Sequence, residues 1–311
     1  MAELATIRQQ PIAQTTQPSL WHRMWKARWP YLFVAPFYIS FSIFALFPVA
    51  FSIYLSLTEW NGLAPIKFVG LNNYSLLLKD QLFWQSIING LTLFVMYVPI
   101  MVVLALVLAV ILNSKRIRAY RVFRALIFLP YITNMVAAGF TFQLMLNQQQ
   151  GLFNTLLGMV GIAPVPWLQD TFWAKVSLCL LILWAYLGYH MIIMLAGLQT
   201  IPGELTEAAE IDGASRVQAF LYITVPLMRP TIFFSVVLST IGSFDLFTEV
   251  NSLFGGTSGP INTALTPIIH IFNQAFGANR LGYASAAAYV YFAFVFVLTL
   301  FQVRYVGRQQ T

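Results

Sequence analysis

Six of the ten acidic residues in this 311-residue chain fall into two groups, and each group suggests different work. Asp245 and Glu249 stand four apart in an apolar run, so helical spacing puts both carboxylates on one face. Continued backwards at helical intervals, that face takes in Gly242, Ile241 and Leu238. A carboxylate at membrane depth is costly to bury and functional by default. Two plainer readings stand beside this one: both acids reach water at the end of a span, or they pair with Arg280. The second group, Glu204, Glu207, Glu210 and Asp212, packs four acids into nine residues between two apolar runs.

Other chemistries lack their residues. The phosphate-cradling pattern G-x-x-x-x-G-K-[ST] is absent, and none of the five lysines follows a glycine, so the chain cannot hydrolyse ATP alone. No His, Cys and carboxylate cluster has metal-ligand spacing, and no metal is expected. Cys179 is the single cysteine, which excludes an intrachain disulfide. His190 stands alone in an apolar stretch, where a helix–helix hydrogen bond is the ordinary use. Beside it, Tyr186-Leu-Gly-Tyr189 offers a second candidate face. There Gly188 admits close approach of backbone or ligand, and Tyr189 brings a hydroxyl on an apolar body; plain packing is the competing reading.

The elements that must position these groups lie in a membrane. Residues that are apolar or aromatic make up 59% of the chain and charged ones only 9%, against about 45–50% and about 25% in soluble domains. A spanning helix needs about 20 predominantly apolar residues. Six stretches qualify: Tyr31–Leu57, Ser86–Leu112, Ala125–Leu146, Lys175–Leu198, Thr231–Val250 and Tyr283–Val306. The expected fold is therefore all-α, a polytopic membrane protein with six transmembrane helices. The first stretch starts too late and runs too long for a cleaved signal. Ahead of it, residues 1–20 are Gln/Thr/Pro-rich and read as a disordered tail, leaving 21–311 as the membrane domain. Trp21, Trp25, Trp29 and Tyr31, interleaved with Arg23, Lys26 and Arg28, read as an interfacial anchor.

Thirteen Lys and Arg fall on one side of these spans and four on the other, dominated by Lys115, Arg116, Arg118, Arg121 and Arg124. Both termini and the loop 199–230 should then be cytoplasmic. The net charge of +7 is spent on this topology; with no soluble basic domain, nucleic acid is not a partner. Two short periodic runs, Leu152-Phe153-Leu156-Leu157-Val160 and Leu265-Ile268-Ile269-Phe272-Phe276, predict helices too short to span, interfacial or re-entrant on the outer face. No internal repeat is evident.

The acidic loop reads as two short helices with a bend. Pro202 and Gly203 end the fourth span, Thr206 caps a helix whose first turn holds Glu207, and Gly213 permits the turn that ends it. Ala208 and Ala209 give that helix a small face open to close approach, and a second helix runs until Pro226. By physics alone this is equally a solvated amphipathic loop.

Glu207-Ala-Ala, Gly213 six residues on, then nine residues to Ile223-Thr-Val-Pro226, resembles the coupling-loop signature of binding-protein-dependent ABC transporter permeases. The family usually has Leu where Val225 stands. The flanks Ala196-Gly-Leu-Gln-Thr-Ile-Pro202 and Asp212-Gly-Ala-Ser215 resemble its carbohydrate-uptake branch. Phe47-Pro-Val-Ala-Phe-Ser-Ile-Tyr-Leu-Ser-Leu-Thr-Glu-Trp60 and Phe68-Val-Gly-Leu-Asn-Asn-Tyr74 resemble the first-type subunit of maltose, lactose and glycerol-phosphate systems.

The resemblance implies the type I ABC importer permease fold in a bacterial plasma (inner) membrane. It implies a heterodimer with a second homologous permease subunit, two ATPase subunits and an extracytoplasmic sugar-binding protein. ATP and Mg would be bound by the partner ATPase, with no cofactor on this chain, which is a transport subunit and not itself an enzyme. Glu207, Ala208, Ala209, Asp212 and Gly213 would seat in the ATPase. Asp245 falls where the maltose-type subunit places a polar substrate contact, and the face with Glu249, Gly242, Ile241 and Leu238 would line the pathway. Phe244 and Phe247 could cover the apolar faces of a sugar ring. Gly188 and Tyr189 lie near family contact positions. Leu253-Phe-Gly-Gly-Thr-Ser-Gly-Pro260 resembles the family's Gly-Gly-Pro loop, interrupted here by Thr257 and Ser258. The small residues Ala284–Ala288 suit close packing against the partner permease. The absence of intramembrane Lys or Arg argues against a phosphorylated solute. An ion-gradient-driven secondary transporter is the alternative; such proteins show discontinuous helices and internal repeats, and the apolar runs predict unbroken spans.

Overall fold

A computed structural model describes residues 28–113 and 119–306. The tail 1–20, the anchor residues Trp21, Arg23, Trp25 and Lys26, and Lys115, Arg116 and Arg118 of the basic cluster lie outside the described residues. The chain divides into two units, 1–52 and 53–311. The first unit holds most of helix α1 (Arg28–Ser56), 29 predominantly apolar residues. A wider π turn at Ser42–Leu46 interrupts it just before Pro48, which has no N–H to return to the preceding turn.

The second unit opens on a two-residue antiparallel ladder, β1 (Thr58–Glu59) with β2 (Lys67–Phe68), then α2 (Asn72–Leu78). Helix α3 (Gln81–Asn113) starts where Asp80 Oδ1 accepts the Leu82 and Phe83 amides at 2.9 and 3.3 Å. Its 33 residues measure about 50 Å, more than the hydrocarbon core requires. The third span is broken, against expectation. Helix α4 (Tyr120–Phe128) tightens into a 3-10 turn at Leu129–Ile132, and α5 (Met135–Met145) leaves at 93°. Pro130 opens that turn, and Asn134 Oδ1 caps α5 through the Val136 and Ala137 amides instead of continuing the ladder.

Helix α6 (Leu152–Met159) occupies the first short periodic run. Helix α7 (Thr171–Leu198) is capped by Asp170, which accepts the Phe172 and Trp173 amides at 2.9 and 3.0 Å. The acidic loop folds as a hairpin of α8 (Gly203–Ile211) and α9 (Arg216–Ala219), the latter extended through a π turn to Leu227. Helix α10 (Arg229–Phe244) departs from it at 65°. The fifth span is broken a second time: α10 stops at Phe244, and α11 (Thr248–Leu253) resumes after three non-helical residues. The second periodic run becomes α12 (Pro267–Phe272), and α13 (Leu281–Val306) closes the fold. Among the described residues, four helices are long and apolar enough to cross a membrane, or up to six if each bent pair counts as one span.

Helices α3 and α7 form the spine of this unit. Leu93, Tyr97, Val98 and Met101 share one core with Leu178, Leu181 and Ile182. Ala105, Leu106, Ala109 and Leu112 share a second with Met191, Met194, Leu195 and Leu198. Cys179 is buried within the first. The alanines of α13 are spent inside the chain: Ala284, Ala286 and Ala287 are all buried, and Ala287 packs with Leu77, Phe83 and Ile87. That corrects the expectation that this patch serves the partner permease.

A polar cluster ties α3, α12 and α13 together. Tyr283 donates to Asp80 Oδ2, and His270 Nε2 lies 3.3 Å from the same oxygen without hydrogen-bond alignment. Burial holds His270 below its usual value, with the Arg280 charge acting in the same direction and Asp80 opposing it. Below about pH 6.5 the unfolded chain therefore takes up this proton more readily than the folded one. Stability from His270 is present above that pH and lost as pH falls through the folded value. Burial alone would raise the Asp80 value, but the Tyr283 hydrogen bond, the backbone amides and His270 leave it lowered, so Asp80 does not titrate between pH 5 and 7. Thermal unfolding of the purified protein should move down from pH 7 to pH 5, and His270→Gln should make that dependence shallower. An equally steep profile in the variant would rule the His270 account out.

Candidate functional site

A cavity of about 220 Å³ lies where both broken spans meet the α3–α7 spine. Tyr97 and Met101 come from α3, Ile182, Tyr186, Tyr189 and His190 from α7, and Leu238, Ser239 and Gly242 from α10. The breaks supply the rest: Tyr131 from the turn between α4 and α5, and Asp245, Leu246 and Glu249 from the join of α10 and α11. A helix break is what allows side chains from two directions to converge here, because residues 242, 245 and 249 no longer follow one axis.

The polar groups fall into committed and uncommitted sets. Both His190 nitrogens face serines on α10, Nδ1 at 2.7 Å from Ser235 Oγ and Nε2 at 3.3 Å from Ser239 Oγ. Tyr97 donates to the Ser239 carbonyl at 2.8 Å. These bonds clamp α10 to α3 and α7, and His190 is a helix–helix bridge, as its isolation suggested. Tyr186 donates to Glu249 Oε1 at 2.6 Å. Tyr131 stacks on Tyr189, centroids 4.7 Å apart and planes 13° from parallel, with Tyr186 edge-on at 5.9 Å. Among the described residues, the Tyr131 and Tyr189 hydroxyls and the Asp245 carboxylate have no hydrogen-bond or ion-pair partner in the chain. Stacked rings with free hydroxyls beside free carboxylate oxygens suit a ligand that has both apolar faces and hydroxyl donors.

The predicted residues separate on inspection. Leu238, Gly242, Asp245, Glu249 and Tyr189 line the cavity together. Ile241 is exposed and turned away from it, since one residue along a helix is a rotation of about 100°. Gly188 does not line it either. A Cβ there would stand 2.1 Å from the Ile127 carbonyl oxygen, so this glycine lets the backbone of α4 approach α7. Arg280 is not the partner of either acid; it stacks over Tyr283 at 4.4 Å and reaches toward Gln274. Of the other lining tyrosines, Tyr186 belongs to the Tyr186–Tyr189 face that the sequence offers, whereas Tyr97 and Tyr131 are not among the sequence candidates. Tyr186 shares a helical face with Tyr189 and was legible by spacing; Tyr131 becomes visible only once the span is known to break at Pro130.

The hairpin hangs from the far ends of two cavity walls, α7 and α10. Helix α7 ends at Leu198 with Gln199 as its cap, before Pro202, which instead starts α8. Thr206 is inside α8, donating to the Gly203 carbonyl at 2.9 Å, and caps nothing. Pro226 is likewise tolerated within a helical turn, and the bend falls at Met228. Gly213 does end α8: its φ is +85°, and the Ala214 amide returns to the Ala209 carbonyl at 2.9 Å. Ser215 and Gln218 form a reciprocal capping box on α9. The two alanines part company, for Ala209 is buried where α8 meets α9, whereas Glu207, Ala208 and Asp212 are exposed. Ile211, Val217 and Tyr222 are also exposed, at 86%, 66% and 77%. The loop after α11 turns through Gly255, Gly256 and Gly259, all at positive φ.

The family model of binding-protein-dependent transport system inner membrane components matches residues 79–310. The chain is 40% identical over 275 residues to the lactose transport system permease protein LacF of Rhizobium radiobacter, covering 88% of this chain and 92% of that one. It is 32% identical over 302 residues to the arabinooligosaccharides transport system permease protein AraP of Bacillus subtilis (strain 168), covering 96% and 95%. In fold it is similar to a chain of a bacterial alginate ABC transporter solved in complex with an alginate pentasaccharide-bound periplasmic protein. That likeness has a TM-score of 0.81 at 23% identity, over 93% of this chain and 97% of the other.

Proposed function

The chain belongs to the binding-protein-dependent transport system inner membrane components, and on that premise we propose that it conducts sugar as the first-type permease subunit of an ATP-driven importer. The observation that carries the reading is that α7 and α10 each form a wall of the cavity and each hold one end of the hairpin. A rigid movement of α8 and α9 must therefore reach Tyr186, Tyr189 and Gly242 through two continuous helices. The sugar class follows the lactose and arabinooligosaccharide relatives and the free acceptors beside stacked tyrosines.

In this account a second permease subunit completes the pathway, and two ATPase subunits bind ATP and Mg on the cytoplasmic side. A sugar-loaded binding protein docks on the opposite side. Glu207, Ala208, Asp212 and the exposed apolar residues of the hairpin meet the ATPase, with Ala209 and Gly213 shaping the hairpin from within. Closure of the ATPase pair turns the cavity outward to receive sugar, and hydrolysis returns it inward. An ion-gradient-driven transporter is set aside by family membership; the broken third and fifth spans do not revive it, since a bent helix serves either machine.

Reconstitution of the four-subunit complex in proteoliposomes tests the proposal. Sugar-loaded binding protein should stimulate ATPase activity several-fold and drive uptake that stops without ATP. Uptake that persists without the ATPase subunits, following an ion gradient, would overturn it.

A further inference from the structure

The cavity's charge is one-sided, which bears on the class of sugar it accepts if the reading of it as the sugar pathway holds. Two carboxylates face it, no Lys or Arg belongs to its lining, and its histidine has both nitrogens on serines. The two acids are not equivalent. Glu249 is 6% exposed and gives Oε1 to Tyr186; its second oxygen has no partner among the described residues. Asp245 caps the C-terminal end of α10, where unpaired carbonyls add to negative potential, and its carboxylate is free on the cavity side.

We propose that Asp245, backed by Glu249, makes this cavity a charge filter that admits neutral and amino-substituted saccharides and rejects those carrying carboxylate, sulfonate or phosphate. A hydroxyl donates to either acid, and an ammonium pairs with the free one. An anionic substituent meets two like charges and no cation. At several ångströms and an effective dielectric near 20, that repulsion amounts to about 10- to 100-fold in affinity.

The test is equilibrium binding to the assembled permease–ATPase complex in nanodiscs, without binding protein, so that the latter's selectivity does not enter. The probes are lactose and arabinobiose as neutral sugars, deacetylated chitobiose as the cation and digalacturonate as the anion. The wild-type complex should bind digalacturonate at least about tenfold more weakly than the best neutral probe, and added salt should narrow that gap. Asp245→Asn should narrow the gap about tenfold, read as the ratio of digalacturonate to lactose affinity within the same variant, and should weaken chitobiose relative to lactose. Asp245→Glu, which keeps the charge, should keep the gap. Digalacturonate binding to the wild type as well as the neutral probes, or a gap unchanged by both salt and Asp245→Asn, overturns the filter while the sugar site stands. No binding by any of the probes overturns the sugar site itself and the filter with it.

Discussion

Gly213→Val should leave the complex assembled and hydrolysing ATP, yet reduce sugar uptake at least about fiftyfold. Nothing lies within 4 Å of where a Cβ would be built on Gly213, so the substitution creates no clash. Its whole effect is conformational. At φ +85° a β-branched residue is strongly disfavoured, by about 1–2 kcal/mol or more. The chain escapes by giving up the turn that closes α8, with its Gly213 to Glu210 and Ala214 to Ala209 hydrogen bonds of 3.2 and 2.9 Å. Neither α7 nor α10 is touched, so insertion and the cavity survive while the hairpin loses its shape. Gly213→Asn is the control, because asparagine visits the left-handed region readily, and it should retain most activity. Glu207→Lys reaches the same phenotype by another route. Glu207 is exposed and has no ion pair among the described residues, so charge reversal costs the fold little and any loss arises at the partner. Uptake and ATPase rates measured on the same proteoliposomes decide it; normal transport by Gly213→Val or Glu207→Lys would show that this hairpin does not couple.

What could be read beforehand followed the periodicity of single residues. Apolar runs announced the spans to within about five positions, and runs such as Leu152–Val160 announced short helices, because hydropathy reports removal from water, whether into lipid or into the protein. Breaks were hidden for the same reason. Ala125–Leu146 is predominantly apolar, and its mean hydropathy does not record that Pro130 and Asn134 turn the chain by 93°. Thr231–Val250 conceals its stop at Phe244 in the same way. The site was therefore half legible. Asp245 and Glu249 were conspicuous as acids in an apolar run, but the face drawn through them was too wide, since Ile241 turns away on the same helix that carries Leu238 and Gly242 into the cavity. Tyr131 is separated from Tyr189 by 58 positions and reaches it only because a span folds back. In the hairpin, Gly213 was readable since only its φ matters, whereas Thr206 required the starting residue of α8, the least determined feature of any helix.

Gly188→Ala should lower both stability and uptake beyond repair, whereas Gly139→Ala should be repairable, and the difference lies in what each glycine faces. A Cβ on Gly188 would meet backbone: the Ile127 carbonyl oxygen at 2.1 Å, its carbon at 2.7 Å and the Phe128 Cα at 2.7 Å. Truncating the Ile127 side chain removes none of these atoms, so α4 itself must retreat from α7. Tyr131 lies three residues past Phe128 and is stacked on Tyr189, one residue past Gly188, so the retreat opens the aromatic wall of the cavity. Overpacking of this kind costs about 1–3 kcal/mol, and uptake should fall about tenfold or more with insertion intact. Gly139, on α5, faces Ser252 of α11, with Oγ at 1.8 Å and Cβ at 2.4 Å from the added carbon, and the Ser252 backbone carbon only at 3.1 Å. Ser252→Gly deletes the two close atoms and leaves a tight but yielding contact. The double variant Gly139→Ala/Ser252→Gly should therefore recover most of the thermal stability that Gly139→Ala loses, a coupling that a double-mutant cycle reads directly. Ile127→Ala should recover nothing for Gly188→Ala. Tolerance of Gly188→Ala, or a Gly139→Ala defect indifferent to Ser252, would mean that these close approaches do not hold the two broken spans around the cavity.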